Sequence, residues 1–335
     1  MGGNRPPSMF DVARLVGVSH QTVSRVVNRA GGVAPETEQR VLDAIEQLGY
    51  KRNLAARALV TQKSQTIGVV LVNGHLYGPS STLLGIERYA RELGFWVSVA
   101  SLASNQPAEM ADAIEHFRGQ GVDGLVVIAP TRESLQACMR VASKLPLVAV
   151  TSGSVSEPSA VSVAIDQVAG AKAAVGHLLE LGHTAIAHLA GPLEEFEAQA
   201  RMAAWAECLA EVGAPPGPLA IGNWQSVPGY EQATRLLSGE HRPTAVFSAN
   251  DLMALGVLRA AHDLGLRVPE DLSVVGFDNM PGSDQLIPPL TTVRQDFALL
   301  GEATVKALID VTAGQETVDR QIEPTLVTRA STAAI

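Results

Sequence analysis

The sequence predicts an α/β fold: a small helix-turn-helix head followed by two doubly wound lobes. Three observations carry that reading. The first 50 residues show three short amphipathic helical patterns around a glycine turn. From Ile67 onward, continuous apolar runs alternate with amphipathic stretches, the mark of a parallel sheet covered on both faces. That pattern restarts near residue 167, and 335 residues are enough for a small domain and two larger lobes.

Taken in order, Val12, Leu15 and Val16 mark the inner face of a first helix, and Gly17 permits the turn. Ser19 suits an N-cap, and Val23, Val26 and Val27 anchor a second helix. A third is predicted from Pro35 to Leu48, with Pro35 at its first position, Val41, Ile45 and Leu48 on one face, and Gly49 ending it. Residues 53–60, NLAARALV, form a short Ala/Leu segment before the polar link TQKSQ. Strands follow at 67–72, 96–101, 124–129 and 147–150, separated by amphipathic stretches. The second lobe reads as helix 167–181, strand 185–190, helix 198–212, strand 219–222, helix 229–238, strand 245–249, helix 251–264 and strand 272–277. In such sheets ligands sit at the carboxyl ends of the strands, here in a cleft between lobes.

Charge divides along the same line. Residues 1–63 carry a net of +4 and the remainder −13, so polyanion binding belongs to the head alone. Cys138 and Cys208 sit in helix-like, apolar settings and read as buried free thiols of a reducing compartment. The N-terminus lacks an apolar leader and no run approaches a membrane span, which predicts a cytoplasmic protein with no membrane partner.

On the second helix, His20, Gln21, Ser24 and Arg25 point outward at its start and one turn on, where a helix enters a major groove. Gln bonds an adenine edge at two points and Arg a guanine edge, each worth about 1–3 kcal/mol of discrimination. Thr22, Ser24 and Asn28 serve either phosphate contact or capping.

The strings DVARLVGVSHQTVSRVVN (11–28), VLDAIEQLGY (41–50), NLAARAL (53–59), HLAGP (188–192), ANDLMALGVLRA (249–260), LSVVGFDN (272–279) and PPLTTVRQDFALLG (288–301) occur in one order. In these the chain resembles the LacI/GalR family of transcriptional regulators from Met9 to about Ser331. The resemblance implies Rossmann-like lobes of the kind found in periplasmic binding proteins. It implies a DNA-binding domain at 1–52, a hinge helix and linker at 53–64, and an effector-binding, dimerising core at 65–335. The first lobe of that core would hold about 65–165 and 297–324, the second about 166–294 and 325–332.

It further implies DNA contacts by Ser19, His20, Gln21, Thr22, Ser24, Arg25, Asn28, Arg52, Asn53, Ala56 and Leu59. Eight residues are too few for a stable isolated helix, so the hinge is expected to fold only on operator DNA, with Leu59 wedged in the minor groove. The family usually reads Tyr-x-Pro-Asn before the hinge; here it is Tyr50-Lys51-Arg52-Asn53, which removes a helix-start restraint and adds a phosphate-reaching cation. His20 stands where another member has a tyrosine, implying a different operator.

Around the cleft the resemblance implies Arg201, Trp224, Asn250, Asp278, Gln295 and Phe297, with Leu76, Tyr77 and Pro79 on the first lobe's side. This chemistry suits a sugar: Arg donates, Asp accepts, Asn does both, and Trp offers a flat face to a pyranose. Each also has a plainer role: Trp224 as core, Arg201 and Asp278 as a mutual pair, Asn250 as a helix cap. Near Thr151 and Ser152 a galactoside-binding member carries an aspartate that this chain lacks, so a different glycoside is implied. Because the chain ends at Ile335 without a heptad helix, a dimer is expected. The expected associating segments are the first-lobe helix after Gly78 and the stretches near Met253–Leu258 and Gly282–Leu286.

The expected function is a repressor of sugar-utilisation genes that a sugar or glycoside releases from a palindromic operator, with no cofactor. Two alternatives share the fold: a regulator whose ligand is a corepressor, as in purine-sensing members, and a sugar-binding protein without an operator. A hydrolase is disfavoured, since no G-x-S-x-G elbow or H-E-x-x-H spacing occurs. His177, His183 and His188 read as surface or loop residues, and no catalytic or metal site is expected.

Overall fold

The computed structural model describes residues 7–28, 30–50, 63–102, 106–141, 145–153, 160–215, 217–239 and 242–335. The chain divides into two compact units, one ending at Ser64 and one running Gln65–Ile335.

The first unit contains α1 (Met9–Val16), α2 (His20–Val27) and α3 (Pro35–Leu48). Gly17 caps α1 with φ 75°, a left-handed conformation that permits the tight turn into α2. Its core is Val12, Ala13, Val16, Val23, Val26, Val41, Ala44 and Tyr50, with Val27, Ile45 and Leu48 packed against it. Leu15, expected inside, is 48 % exposed. The buried stripe runs through Val12, Ala13 and Val16, so the head packs on the Ala13 side of Val12 and Val16 and leaves Leu15 on the opposite flank. Arg40 Nη2 donates to the Val16 carbonyl at 2.6 Å and satisfies the end of α1.

The second unit holds two six-stranded sheets. One comprises β1 (Thr66–Val72), β2 (Trp96–Leu102), β3 (Gly124–Ile128), β4 (Leu147–Val150), β5 (Ala160–Ile165) and β11 (Arg320–Ile322), in the order β11-β5-β4-β3-β1-β2, all parallel. The other comprises β6 (Ile186–Ala190), β7 (Leu219–Ile221), β8 (Ala245–Ser248), β9 (Ser273–Asp278), β10 (Thr291–Arg294) and β12 (Thr325–Val327), in the order β12-β10-β9-β8-β6-β7. Only β12 runs antiparallel, against β10. The chain passes between lobes three times, after β5, after β10 and after β11.

Helices α4 (Tyr77–Glu92), α5 (Pro107–Gln120), α6 (Arg132–Val141) and α11 (Phe297–Thr312) pack on the first sheet. On the second lie α7 (Gln167–Glu180), α8 (Phe196–Glu211), α9 (Ser226–Leu237) and α10 (Asp251–Asp263). Helices α8 and α9 begin two and three residues earlier than their apolar periodicity suggests, because their first turns are polar or carry Pro228. A Cβ on Gly85 would lie 2.3 Å from the Phe297 carbonyl oxygen, and one on Gly301 2.2 Å from the Gly85 carbonyl carbon. Only glycine lets α4 and α11 touch there, and the contact brings Tyr77 and Phe297 edge to face at 5.7 Å.

Two histidines correct the sequence reading. His188 lies inside β6, fully buried between Phe247 and Trp205, and His183 is 1 % exposed. A strand covered on both faces has no exposed parity, so alternation could not place His188. Its Nδ1 donates to the Phe247 carbonyl at 2.9 Å, and burial pushes its pKa down to about 4. The ring of His183 bonds Thr244 and Ser273, and it also meets the Ala333 carbonyl. His177 is partly buried and bonds Thr332 at 2.9 Å. Both cysteines are free and buried. Among the described residues, no group of three His, Cys, Asp or Glu forms a metal site, and no helix is long and apolar enough to cross a membrane.

Candidate functional site

In the head, the functional face is α2. Ser19 caps it: its Oγ accepts from the Thr22 N–H at 3.1 Å and lies 2.9 Å from Thr22 Oγ1. Both hydroxyls are therefore engaged in capping. Asn28 Nδ2 donates to Ser24 Oγ at 3.1 Å across one turn. Gln21 and Arg25 are exposed on the same helix. The His20 ring stacks on the exposed Phe10 with centroids 4.5 Å apart, a fixed orientation that sequence reasoning missed. Arg52, Asn53, Ala56 and Leu59, and the hinge helix expected around them, lie outside the described residues.

In the larger unit, one cavity opens between the lobes with about 800 Å³ of atom-free space, mouth included, within the range of small-molecule sites. Leu76, Tyr77, Pro79, Arg201, Trp224, Asn250, Asp278, Gln295 and Phe297 all line it. Topology brings them together. Six of them follow, or end, a strand at its carboxyl edge: Leu76 and Tyr77 after β1, Trp224 after β7, Asn250 after β8, Asp278 closing β9, Gln295 after β10. Arg201 projects from α8, and Pro79 and Phe297 stand in the first turns of α4 and α11.

The polar side chains form a relay. Arg201 Nε donates to Gln167 Oε1 at 2.8 Å; Gln167 Nε2 donates to Gln295 Oε1 at 3.1 Å; Gln295 Nε2 donates to Asp278 Oδ1 at 2.6 Å. Arg201 also donates through Nη1 to the Ala249 carbonyl and stacks on Phe277, 3.8 Å to the ring centroid. Arg201 and Asp278 thus do not pair directly. Asp278 Oδ2 and Arg201 Nη2 have no partner among the described residues. Asn250 caps α10, accepting from Met253 N–H at 2.9 Å, while its Nδ2 donates to the Trp224 carbonyl at 3.0 Å.

Trp224 is buried, and its Nε1 donates to Glu195 Oε2 at 2.8 Å. Backbone strain concentrates here: Trp224 has φ 71° and Asp278 φ 115°, left-handed values that cost non-glycine residues about 1–3 kcal/mol. Burial pushes Asp278 up to about 6 against the pull of Arg201, and pushes Glu195 up to about 7 against the Trp224 N–H. Asp251, buried behind Asp278, accepts from Thr292 Oγ1 at 2.6 Å and Met280 N–H at 2.8 Å; burial and the Asp278 charge raise it to about 7.

Gln167, Glu195 and Glu197 are cavity residues that sequence reasoning missed. Glu197 Oε1 accepts from Ser152 Oγ at 3.3 Å, so a carboxylate reaches the Thr151–Ser152 corner from the other lobe. The acidic run around Glu194 was the available signal, but it reads equally as a helix start.

Comparison with known proteins adds the following. A family model described as bacterial regulatory proteins, lacI family, matches residues 8–53, and a periplasmic binding protein-like domain matches 175–332. The lactose operon repressor of Escherichia coli (strain K12) is 36 % identical over 332 residues, 98 % of this chain and 92 % of its own. The HTH-type transcriptional repressor PurR of Mannheimia succiniciproducens is 34 % identical, covering 96 % of this chain and 97 % of that one. The structure of the lac repressor dimer bound to operator and the anti-inducer ONPF matches with a TM-score of 0.91 at 36 % identity, over 98 % of this chain and 100 % of that one. A complex of the transcriptional regulator CelR with cellobiose matches with a TM-score of 0.74 at 30 % identity, over 97 % and 99 %.

Proposed function

The chain belongs to the LacI family of bacterial regulatory proteins and is a DNA-binding repressor, not an enzyme; from that premise we propose that it controls sugar-utilisation genes and leaves its operator when a sugar or glycoside fills the cleft. The observation that carries this reading is the relay from Arg201 to Asp278. It leaves one guanidinium donor near the Trp224 ring and one carboxylate acceptor in the same cavity, a match for vicinal hydroxyls on a pyranose. The likeness to a regulator solved with cellobiose supports the same ligand class.

A ligand acts only through unequal affinity for two states. With the cleft lined from both lobes, a bound sugar favours one lobe arrangement over the other. In the head, His20, Gln21 and Arg25 are the proposed readers of the operator, with Ser19 and Thr22 holding the helix start. Dimerisation is proposed through the first lobe, where Leu84, Leu93, Trp96 and Val99 are exposed on α4 and edge strand β2. On the second lobe, Met253 and Leu258 are core, so Leu255 is the candidate contact in that stretch. Light scattering should give twice the 35.1 kDa chain mass.

The deciding experiment is a gel shift on DNA upstream of the gene, titrated with glycosides of every common class. Release by one of them supports the proposal. Tighter binding replaces induction by corepression, and indifference to all of them sinks the sugar reading.

A further inference from the structure

The cleft is electrostatically lopsided. Its lining contains one cation, Arg201, against the carboxylates of Glu195, Glu197 and Asp278, with neither lysine nor histidine among the lining residues described. Arg201 is also largely committed: Nε to Gln167, Nη1 to the Ala249 carbonyl, and its face to Phe277. A phosphate or carboxylate ligand is held by a free guanidinium fork or several cations. Here it would find a single Nη2 and three groups that, when ionised, only accept hydrogen bonds.

The two glutamates are fixed in place. Glu195 forms an antiparallel bridge with Thr131 of the first lobe, and the Phe196 N–H donates to the Pro130 carbonyl at 2.9 Å. The Phe196 ring packs into the first lobe's core. Between these anchors, Glu197 reaches Ser152. A carboxylate held at a lobe junction, whose hydroxyl contact with Ser152 is long at 3.3 Å, is well disposed to accept a shorter bond from a ligand.

The geometry points to an effector that is uncharged and donates a hydrogen bond to Glu197, with anionic relatives of that effector excluded. This rests on the reading that the cleft holds the effector. Within the sugar reading it selects free sugars or glycosides over sugar phosphates and uronic acids, and makes Glu197 a specificity-determining residue.

Calorimetric titration of the full chain tests this with matched pairs: methyl glucoside and methyl galactoside against the 6-phosphates and uronates of the same sugars, cellobiose against its 6-phosphate, and hypoxanthine against its nucleoside monophosphate. The expected result is binding of a neutral member, with its anionic partner weaker by about a hundredfold. Glu197→Gln should weaken the neutral ligand about tenfold, as expected when a hydrogen bond loses its charge, and should narrow the gap between neutral and anionic partners. A helix-start role alone would change stability without narrowing that gap. An anionic member binding as tightly as its neutral partner overturns the inference, as does wild-type affinity and selectivity in a folded Glu197→Gln. The wild-type pairs decide by themselves should the variant fail to fold. Hypoxanthine binding while every sugar fails would remove the sugar reading and leave anion exclusion standing; no binding by any member removes both.

Discussion

The recognition helix and the cleft hold their side chains by opposite means. In the cleft, Arg201, Asn250, Asp278 and Gln295 are buried and linked through hydrogen bonds, with Asp278 on strained backbone. On α2, Gln21 and Arg25 stand exposed, and His20 is steadied by one ring stack. A small ligand has to be surrounded, so its readers are ordered by the fold itself. A duplex is reached from outside, so its readers stay free until they meet it. Changes in the cleft should therefore cost stability and binding together, whereas changes on α2 should alter binding with little effect on folding.

Arg201→Ala tests this contrast most severely. It removes the one cation amid Glu195, Glu197 and Asp278 and strands Gln167 and the Ala249 carbonyl. Unfolding of the core should become easier by about 3–5 kcal/mol, the usual result of removing one partner from a buried charged cluster. Operator binding should persist while the response to effector disappears. Denaturant melts alongside gel shifts check both; a variant with native stability and native response breaks the contrast.

How much of this was legible depended on where a side chain's environment is written. The head's three helices follow from apolar spacing, Gly17 and Pro35, all local signals. Asn250, Asp278, Gln295 and Phe297 were readable because each lies in a recognisable string, such as Asp278 in LSVVGFDN, at or just past a strand's carboxyl edge. Arg201, set in mid-helix, was legible only through the family resemblance. Glu195 and Glu197 escaped notice because acids in a first helical turn look like ordinary complements to the helix dipole. What turns them inward is the bridge from Glu195 to Thr131, a contact between residues far apart in sequence. Leu15 misled because Val12 and Val16 can be flanked on either side in a short helix, and packing buried the side of Ala13.

Buried acids also give the cleft a pH dependence that the head should lack. Asp251 and Glu195 have folded-state pKa values of about 7, above their unfolded values near 4. Between about pH 4 and 7 the folded core thus binds more protons than the unfolded chain, so its stability falls as pH rises across that range and levels off above 7. His188, lowered to about 4, acts in the opposite sense between about pH 4 and 6.5 and offsets one of the two carboxyls there. Each raised carboxyl should cost the core about 1 kcal/mol per pH unit between about 5 and 6.5, with little further loss above 7. Asp251→Asn should flatten the slope; thermal melts at pH 5, 6 and 7 on both proteins measure it. An unchanged slope would mean that Asp251 is ionised in the fold.

Ser19→Ala is expected to act on the head alone. Losing the oxygen that accepts from Thr22 N–H should cost the head about 1 kcal/mol and leave the core's transition where it was. Hydrogen exchange at the first turn of α2 would register it. A shift in the core's transition would instead show that the two units do not melt separately.

The smallest effect expected is also the one that best isolates positioning from contact. Phe10 is 65 % exposed, yet its ring lies 4.5 Å from that of His20 at an interplanar angle of 25°. Such a pair is worth about 0.5–1.5 kcal/mol beyond simple burial, comparable to the entropy of one side chain ordered on binding. Phe10→Ala removes no hydrogen-bonding group and no charge. It leaves Val12, Ala13 and Val16 in the head's core, so folding should be nearly unaffected. The freed imidazole must then be ordered by DNA, which should weaken operator binding about two- to tenfold while non-specific binding and its salt slope stay unchanged. Titrations of operator and random duplexes at several salt concentrations separate the two. Equal loss on both duplexes would assign Phe10 to the phosphate backbone, and no loss on either would mean that His20 takes its orientation from the groove.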